Sequence, residues 1–158
     1  MSERIFRGKV FHYGNDCGWV YGDLHHYYNG SFFTQISNID DEKAETRTYD
    51  VDICSVSQST GIKDKNGKEI FEGDILIDRE TTEDGIDISS HCPVIYDTKT
   101  GSYCIDNSYY KDNQHLVNMV EYFSLENLEV VGNTFENKDL LPKENSPNYV
   151  ESQTDLPF

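Results

Sequence analysis

The sequence predicts a mainly β protein, a β-rich α+β fold whose only helix is short and C-terminal. Two observations predict it. Core-forming residues are largely rings and β-branched side chains, which suit a pleated sheet: 13% of the 158 residues are aromatic, with eleven Tyr, eight Phe and one Trp. The apolar runs are short, and Gly, Asn and Asp, the residues of tight turns, separate them at close intervals.

Residues 5–11 (IFRGKVF) are a short aromatic run interrupted by Gly8, the pattern of a strand with a bend or bulge. Gly18 to Tyr28 (GWVYGDLHHYY) and Ser31 to Ile36 (SFFTQI) flank Asn29-Gly30, which accepts the positive φ angles of a type I′ turn, so a hairpin is expected. Asn38 to Asp52 holds Asp40, Asp41, Glu42, Glu45, Asp50 and Asp52 against Lys43 and Arg47, which predicts a solvated loop leading into a strand around Arg47 to Ile53.

In Thr60 to Asp74 (TGIKDKNGKEIFEGD), Asp64-Lys65-Asn66-Gly67-Lys68 is turn chemistry. Asp bonds backbone amides ahead of it, Asn tolerates the left-handed region, and Gly enters it at no steric cost. Glu69 to Phe71 is short, Glu72-Gly73-Asp74 breaks it, and Ile75 to Ile77 resumes as a strand. Asp78 to Cys92 sets Asp78, Glu80, Glu83, Asp84 and Asp87 against Arg79 and predicts an exposed loop before a strand at Val94 to Tyr96. Thr98 to Gly101 reads as a turn, Ser102 to Ile105 as a strand, and Asn107 to Asn113 as a loop. Leu125 to Val131 leads through Gly132-Asn133 into Phe135 to Leu141, a strand, a turn and one or two turns of helix ended before Pro142. Residues 143–158 carry Pro147 and Pro157 and no periodicity, as expected of a flexible tail.

The formal charge of −16, from 29 acidic and 13 basic side chains, repels polyanions, so direct nucleic-acid binding is not expected. Cys17, Cys54, Cys92 and Cys104 form no C-x-x-C pair and read as reduced thiols. The N-terminus is charged from its third residue, without the apolar run of a signal peptide, and no segment approaches the roughly 18 apolar residues of a membrane span. A soluble protein of the cytoplasm, with no membrane partner, is the expectation.

Several residues invite chemistry. Asp64, Asn66 and Glu69 offer oxygen ligands on a loop, but an EF-hand loop needs Gly at its sixth position and here Gly67 is the fourth. Glu72 and Asp74 would share a face if extended, with no His or Lys indicated as a partner. His91-Cys92 with Cys104 and His115 or Cys54 matches no common zinc spacing, and adjacent residues on a strand point to opposite faces, a defect His25-His26 shares. No phosphate loop, G-x-S-x-G elbow or H-E-x-x-H helix is present. No catalytic residue, metal site or cofactor is therefore assigned. Thr60, Gly61, Asp64, Asn66, Gly67, Glu72, Gly73 and Asp74 read as turn-forming residues that also suit an interaction loop. Exposed rings are the other candidate surface: Tyr27, Tyr28, Phe32 and Phe33 cluster on one expected hairpin, and Tyr109-Tyr110 fall in an expected loop.

The segment TGIKDKNGKEIFEGDI resembles the signature of the YopX family, small proteins of phages and prophages. Phe6-Arg7-Gly8-Lys9 followed by Trp19-Val20-Tyr21-Gly22 is similar to the family's N-terminal pattern, and LEVVGNTFENKDLL (Leu128 to Leu141) to its closing motif. Departures fall just before the signature, where Ile53 follows Val51-Asp52 and Ser57, Gln58 and Ser59 replace the usual Gly-Gln-aromatic. The resemblance implies a β-rich N-terminal region over residues 1–57, a domain similar to an SH3-like barrel over 58–142, and a tail over 143–158. It implies no established activity or cofactor.

Three functions are therefore set side by side. The first is a non-catalytic phage or prophage accessory protein that binds a protein partner or itself, the latter as a homo-oligomer, in the bacterial cytoplasm. The second is an acidic decoy whose loops at Asp40 to Glu45 and Asp78 to Asp87 block a basic nucleic-acid-binding protein. The third is a metal-dependent hydrolase using Asp64, Glu69, Glu72 or Asp74.

Overall fold

The computed structural model describes residues 5–11, 18–28, 32–40, 42–81, 83–85, 87–107, 116–119 and 127–142. The chain is mainly β, in two antiparallel sheets. It divides into two compact units, Met1–Gly61 and Ile62–Phe158. No helix among the described residues is long and apolar enough to cross a membrane. The expected turn at Asn29-Gly30, loop at 108–113 and tail at 143–158 lie outside the described residues, as do Cys17, Tyr109, Tyr110 and His115.

In the first unit β1 (Phe6–Lys9), β2 (Trp19–Tyr28), β3 (Phe32–Asp40) and β4 (Glu45–Asp50) precede a 3-10 turn at Ile53–Ser55 and β5 (Ser57–Lys63), which crosses the limit at Gly61. The first sheet runs β4-β3-β2-β1-β5-β6, where β6 is Glu69–Phe71. Tyr28 pairs with Phe32, so β2 and β3 form a hairpin. Gly8 makes no bulge. It sits in regular register opposite Val20, and a Cβ there would lie 2.9 Å from Val51 Cβ and 3.1 Å from Ile36 Cδ1, so close packing rather than bending calls for glycine. Ile36 and Val51 are the buried apolar centre of this unit. Arg7 is buried too, with Nε donating to Ser57 Oγ at 2.9 Å and the guanidinium 4.9 Å from the Trp19 ring centroid. The Asp52 side chain caps the 3-10 turn through Cys54 N at 2.9 Å, and Ser55 Oγ accepts from Lys9 N at 2.7 Å.

The acidic segment after Asn38 is less of a loop than its charge suggests, because β3 continues to Asp40 and β4 begins at Glu45. The same holds for Asp78 to Cys92, which lies largely in β7 (Asp74–Thr81) and β8 (Asp87–Asp97), paired from Ile75↔Pro93 to Thr81↔Asp87. Local charge gave the wrong answer in both places because ladder hydrogen bonds, not side-chain polarity, decide whether a solvated segment stays extended.

In the second unit β7, β8, β9 (Ser102–Asp106), β10 (Leu116–Asn118) and β11 (Glu129–Asn133) form a sheet in the order β10-β9-β8-β7-β11. The long strand β8 serves two neighbours, with Asp87 to Pro93 facing β7 and Val94 to Asp97 facing β9. Among the described residues no pairing joins β10 to β11 to close this sheet into a barrel. The helix expected over Phe135 to Leu141 is instead a single 3-10 turn at Lys138–Leu140. Ile70, Leu76, Cys92, Val94, Ile105, Met119 and Leu128 make the core, with Ile62, Tyr103 and Val130 packed against it.

Candidate functional site

Thr60 and Gly61 lie within β5, where Gly61 has φ +76° and donates its N–H to Ser59 Oγ at 3.0 Å. The chain then reverses over Asp64 to Lys68. Asp64 N donates to Lys68 O at 2.8 Å and Gly67 N to Asp64 O at 2.9 Å, with Gly67 at φ +79° in the region that favours a residue without a Cβ. Asn66, Gly67 and Lys68 are exposed, but the Asp64 side chain turns inward and is 6% exposed. Its Oδ1 accepts from Asn66 N at 2.8 Å and Lys68 N at 2.9 Å, and its Oδ2 accepts from Val130 N at 3.1 Å. Lys65 N donates to Leu128 O at 3.0 Å beside it. The carboxylate thus closes its own turn and ties it to β11, 66 residues later. Burial pushes the Asp64 pKa up, but the N–H donors of Val130, Lys68 and Asn66, helped by the Lys68 charge, outweigh it and hold the carboxyl below its ordinary value.

The second break is built the same way. Gly73 has φ +78°, donates N–H to Val94 O at 2.8 Å and accepts from Thr134 N at 2.7 Å. Asp74 is fully buried at the start of β7 and accepts from Phe71 N through Oδ2 at 2.9 Å, while Glu72 is half-buried in the turn. Glu72 and Asp74 therefore occupy a turn and a strand start, not one extended face.

The closing motif completes the arrangement. Asn133 Oδ1 accepts from Phe135 N at 3.0 Å and Glu136 N at 2.9 Å, and Asn137 Oδ1 accepts from Asn133 N at 3.1 Å. Asn137 lies over Gly132, where a Cβ would come within 2.6 Å of Asn137 Oδ1. On the outside, Glu129 Oε2 meets Lys65 Nζ at 2.6 Å and Arg79 Nη1 at 3.0 Å, and these two cations lower the Glu129 pKa.

Asp64, Asn66 and Gly67 thus gather on one turn and Glu72, Gly73 and Asp74 on another, each tied separately to the segment from Leu128 to Asn137. Three backbone N–H groups converge on the Asp64 carboxylate, an environment that suits an anion and opposes a cation at the same place. Among the described residues no group of three His, Cys, Asp or Glu is placed to hold a metal ion. His91 and Cys92 alternate along β8, opposite Ile77 and Leu76. Cys92 and Cys104 are buried, and burial, reinforced by the negative charges of Asp78 and Asp106, pushes the Cys92 thiol up to about 12. Such a thiol is a small apolar core residue rather than a nucleophile.

Sequence reasoning placed Asn133 in a turn with Gly132 but did not single out Asn137 or Glu129. The two asparagines carried a usable signal, being short amides beside a glycine and able to bond their own backbone. Glu129 carried none, since its partners come from 64 and 50 residues before it.

A β-sheet unit whose two sequence motifs hold each other is the class of protein this geometry defines. The family model described as YopX protein matches residues 5–142, so the chain belongs to the YopX family. No curated protein sequence matches it.

Proposed function

We propose that this chain is a non-catalytic accessory protein of a phage or prophage, acting through protein contacts in the bacterial cytoplasm. The observation that carries the proposal is a contrast in how polar and apolar groups are used. Asp64 and Asp74, which invite chemistry in the sequence, engage backbone N–H groups below the surface, whereas Phe11, Tyr27, Tyr28 and Ile39 of the first unit are each more than half exposed. Of the four carboxylates a hydrolase would draw on, Asp64 and Asp74 are buried, which argues against either reaching a substrate, while Glu69 and Glu72 are half-buried. The second unit is read as an SH3-like barrel arrangement. The run β7-β8-β9-β10, the return of β11 to pair with β7, and the sharing of β8 between β7 and β9 support that reading.

The partner is a protein, or a second copy of this chain, rather than nucleic acid or membrane, because a chain of charge −16 repels polyanionic surfaces. Capture of the tagged protein from lysate of its bacterial host, with nuclease present and at two salt concentrations, tests the proposal. A partner retained at moderate salt is expected. A basic protein released by salt would favour the acidic-decoy form, and failure to retain any specific protein would overturn both.

A further inference from the structure

We propose that the outer edge of β4 is a strand-addition site for an extended, basic segment of a partner protein. The proposal rests on the reading of the chain as an interaction module and names the chemistry of its partner. Sheet edges expose unpaired N–H and C=O groups, and native proteins guard them by shortness, bulges, proline, charged side chains (lysine above all) or a covering element. Of the four edge strands among the described residues, three are short or broken: β6 and β10 are three residues long, and β11 is interrupted by a register shift between Val130 and Gly132. The fourth, β4, is six residues long, pairs with β3 in unbroken register from Asp40↔Glu45 to Gln35↔Asp50, contains no Pro, Gly or Lys, and is guarded by the charges of Glu45, Arg47 and Asp50 rather than by its backbone.

The direction of its backbone groups follows from two hydrogen bonds. Val51 N donates to Thr34 O at 2.9 Å, so by antiparallel alternation Tyr49 and Arg47 also turn their backbone groups towards β3, and Thr48 and Thr46 turn theirs away. Asp50 confirms this phase, because its outward C=O accepts from Phe11 N at 2.8 Å. Phe11 therefore closes the edge at one end, and among the described residues no strand pairs with the outward groups of Thr46 and Thr48. Every β4 residue is exposed except Tyr49, which is half-buried. An added strand would pair with Thr46 and Thr48 and run up against Phe11, itself 59% exposed.

Charge selects the occupant. Arg47 is matched by Asp40 at 3.3 Å, whereas among the described residues no cation lies within salt-bridge distance of Glu42 or Glu45. The edge is thus acidic on a strongly acidic chain. A second copy would add to that charge, while a strand bearing Lys or Arg at alternate positions would neutralise it.

The probes are three nine-residue capped peptides: alternating Lys and Val, alternating Glu and Val, and the Lys–Val peptide with alternate amides N-methylated. Fluorescence anisotropy reads binding to the full chain, and amide hydrogen exchange reads the site. The Lys–Val peptide is expected to bind at least about tenfold more tightly than either of the others. In the isolated protein Thr46 and Thr48 amides should exchange quickly and Arg47 and Tyr49 slowly, and the Lys–Val peptide should slow Thr46 and Thr48. Thr46→Pro removes one outward N–H without touching the ladder to β3 and should weaken the peptide about tenfold. Equal binding by the N-methylated peptide, or no change at Thr46 and Thr48, would overturn the site. That exchange readout needs no variant to fold. A dimer of the protein alone that Thr46→Pro dissolves would assign the edge to a second copy and overturn the basic partner. Host capture that succeeds equally with Thr46→Pro would refute the edge while leaving the interaction module standing. Peptide binding at the edge without any captured host protein would do the reverse.

Discussion

The turn at Asp64 to Lys68 and the ladder of β2, β3 and β4 use the same kinds of residue to opposite ends. In the turn one polar side chain points inward and spends its hydrogen bonds on backbone, Asp64 with three N–H groups. In the ladder polar side chains point outward and meet one another across strands. Ser37 Oγ lies 2.6 Å from Thr48 Oγ1 and 3.3 Å from His25 Nε2, and Gln35 Nε2 donates to Asp50 Oδ1 at 2.8 Å. The lesson is that a charged motif is identified by where its hydrogen bonds go. Inward bonds to distant backbone hold a fold; exposed side-chain ladders beside an open edge leave a surface for something else.

If the contrast is sound, substitutions in the first region cost stability and those in the second do not. Asp64→Ala should have the largest effect, because it strips three backbone N–H groups of a charged acceptor; about 3–5 kcal/mol is expected from urea denaturation. Asp64→Asn should cost less, since one amide oxygen remains, but its NH2 must face at least one N–H donor. The loss should also depend on pH. Asp64 titrates below its unfolded value in the folded chain, so its contribution is complete above the unfolded carboxyl pKa of about 3.9 and disappears as pH falls through the lower folded value. The gap in urea midpoint between the parent and Asp64→Asn should therefore narrow on moving from pH 6 towards strong acid.

Gly132→Ala should come next. Its Cβ would displace the Asn137 amide that accepts from Asn133 N, at a cost of about 2 kcal/mol measured the same way. The smallest effect on stability should come from Tyr27→Ser with Tyr28→Ser, exposed rings whose loss should change stability by about 0.5 kcal/mol or less. The same pair should lower recovery of the host partner, and stability loss comparable to Gly132→Ala would erase the contrast between the regions.

Much of the fold was legible in the sequence because its turns are chemically marked. Asn66-Gly67, Glu72-Gly73 and Thr98 to Gly101 each sit where the chain reverses. What misled was charge: Asp40, Glu45 and Asp78 read as loop and lie in strands, because an exposed ladder tolerates acids on either face. The candidate site was half legible. Asp64 was recognisable as a turn former through its bonds to Asn66 and Lys68, which are local. Its bond to Val130 was not, since nothing in a single sequence links positions 66 residues apart. The short helix expected before Pro142 failed for a similar reason: Asn133 and Asn137 draw the chain into a side-chain-bonded turn first, leaving residues for only one 3-10 turn.

The most direct measurement is amide hydrogen exchange at Val130, Asn66 and Lys68 in the unaltered protein. If the Asp64 carboxylate is the tie between the two motifs, these three amides exchange slowly, and all three lose protection in Asp64→Ala. Exchange at the rate of unprotected loop amides in the parent protein would contradict the account, and would return the signature turn to the surface as a loop available for binding.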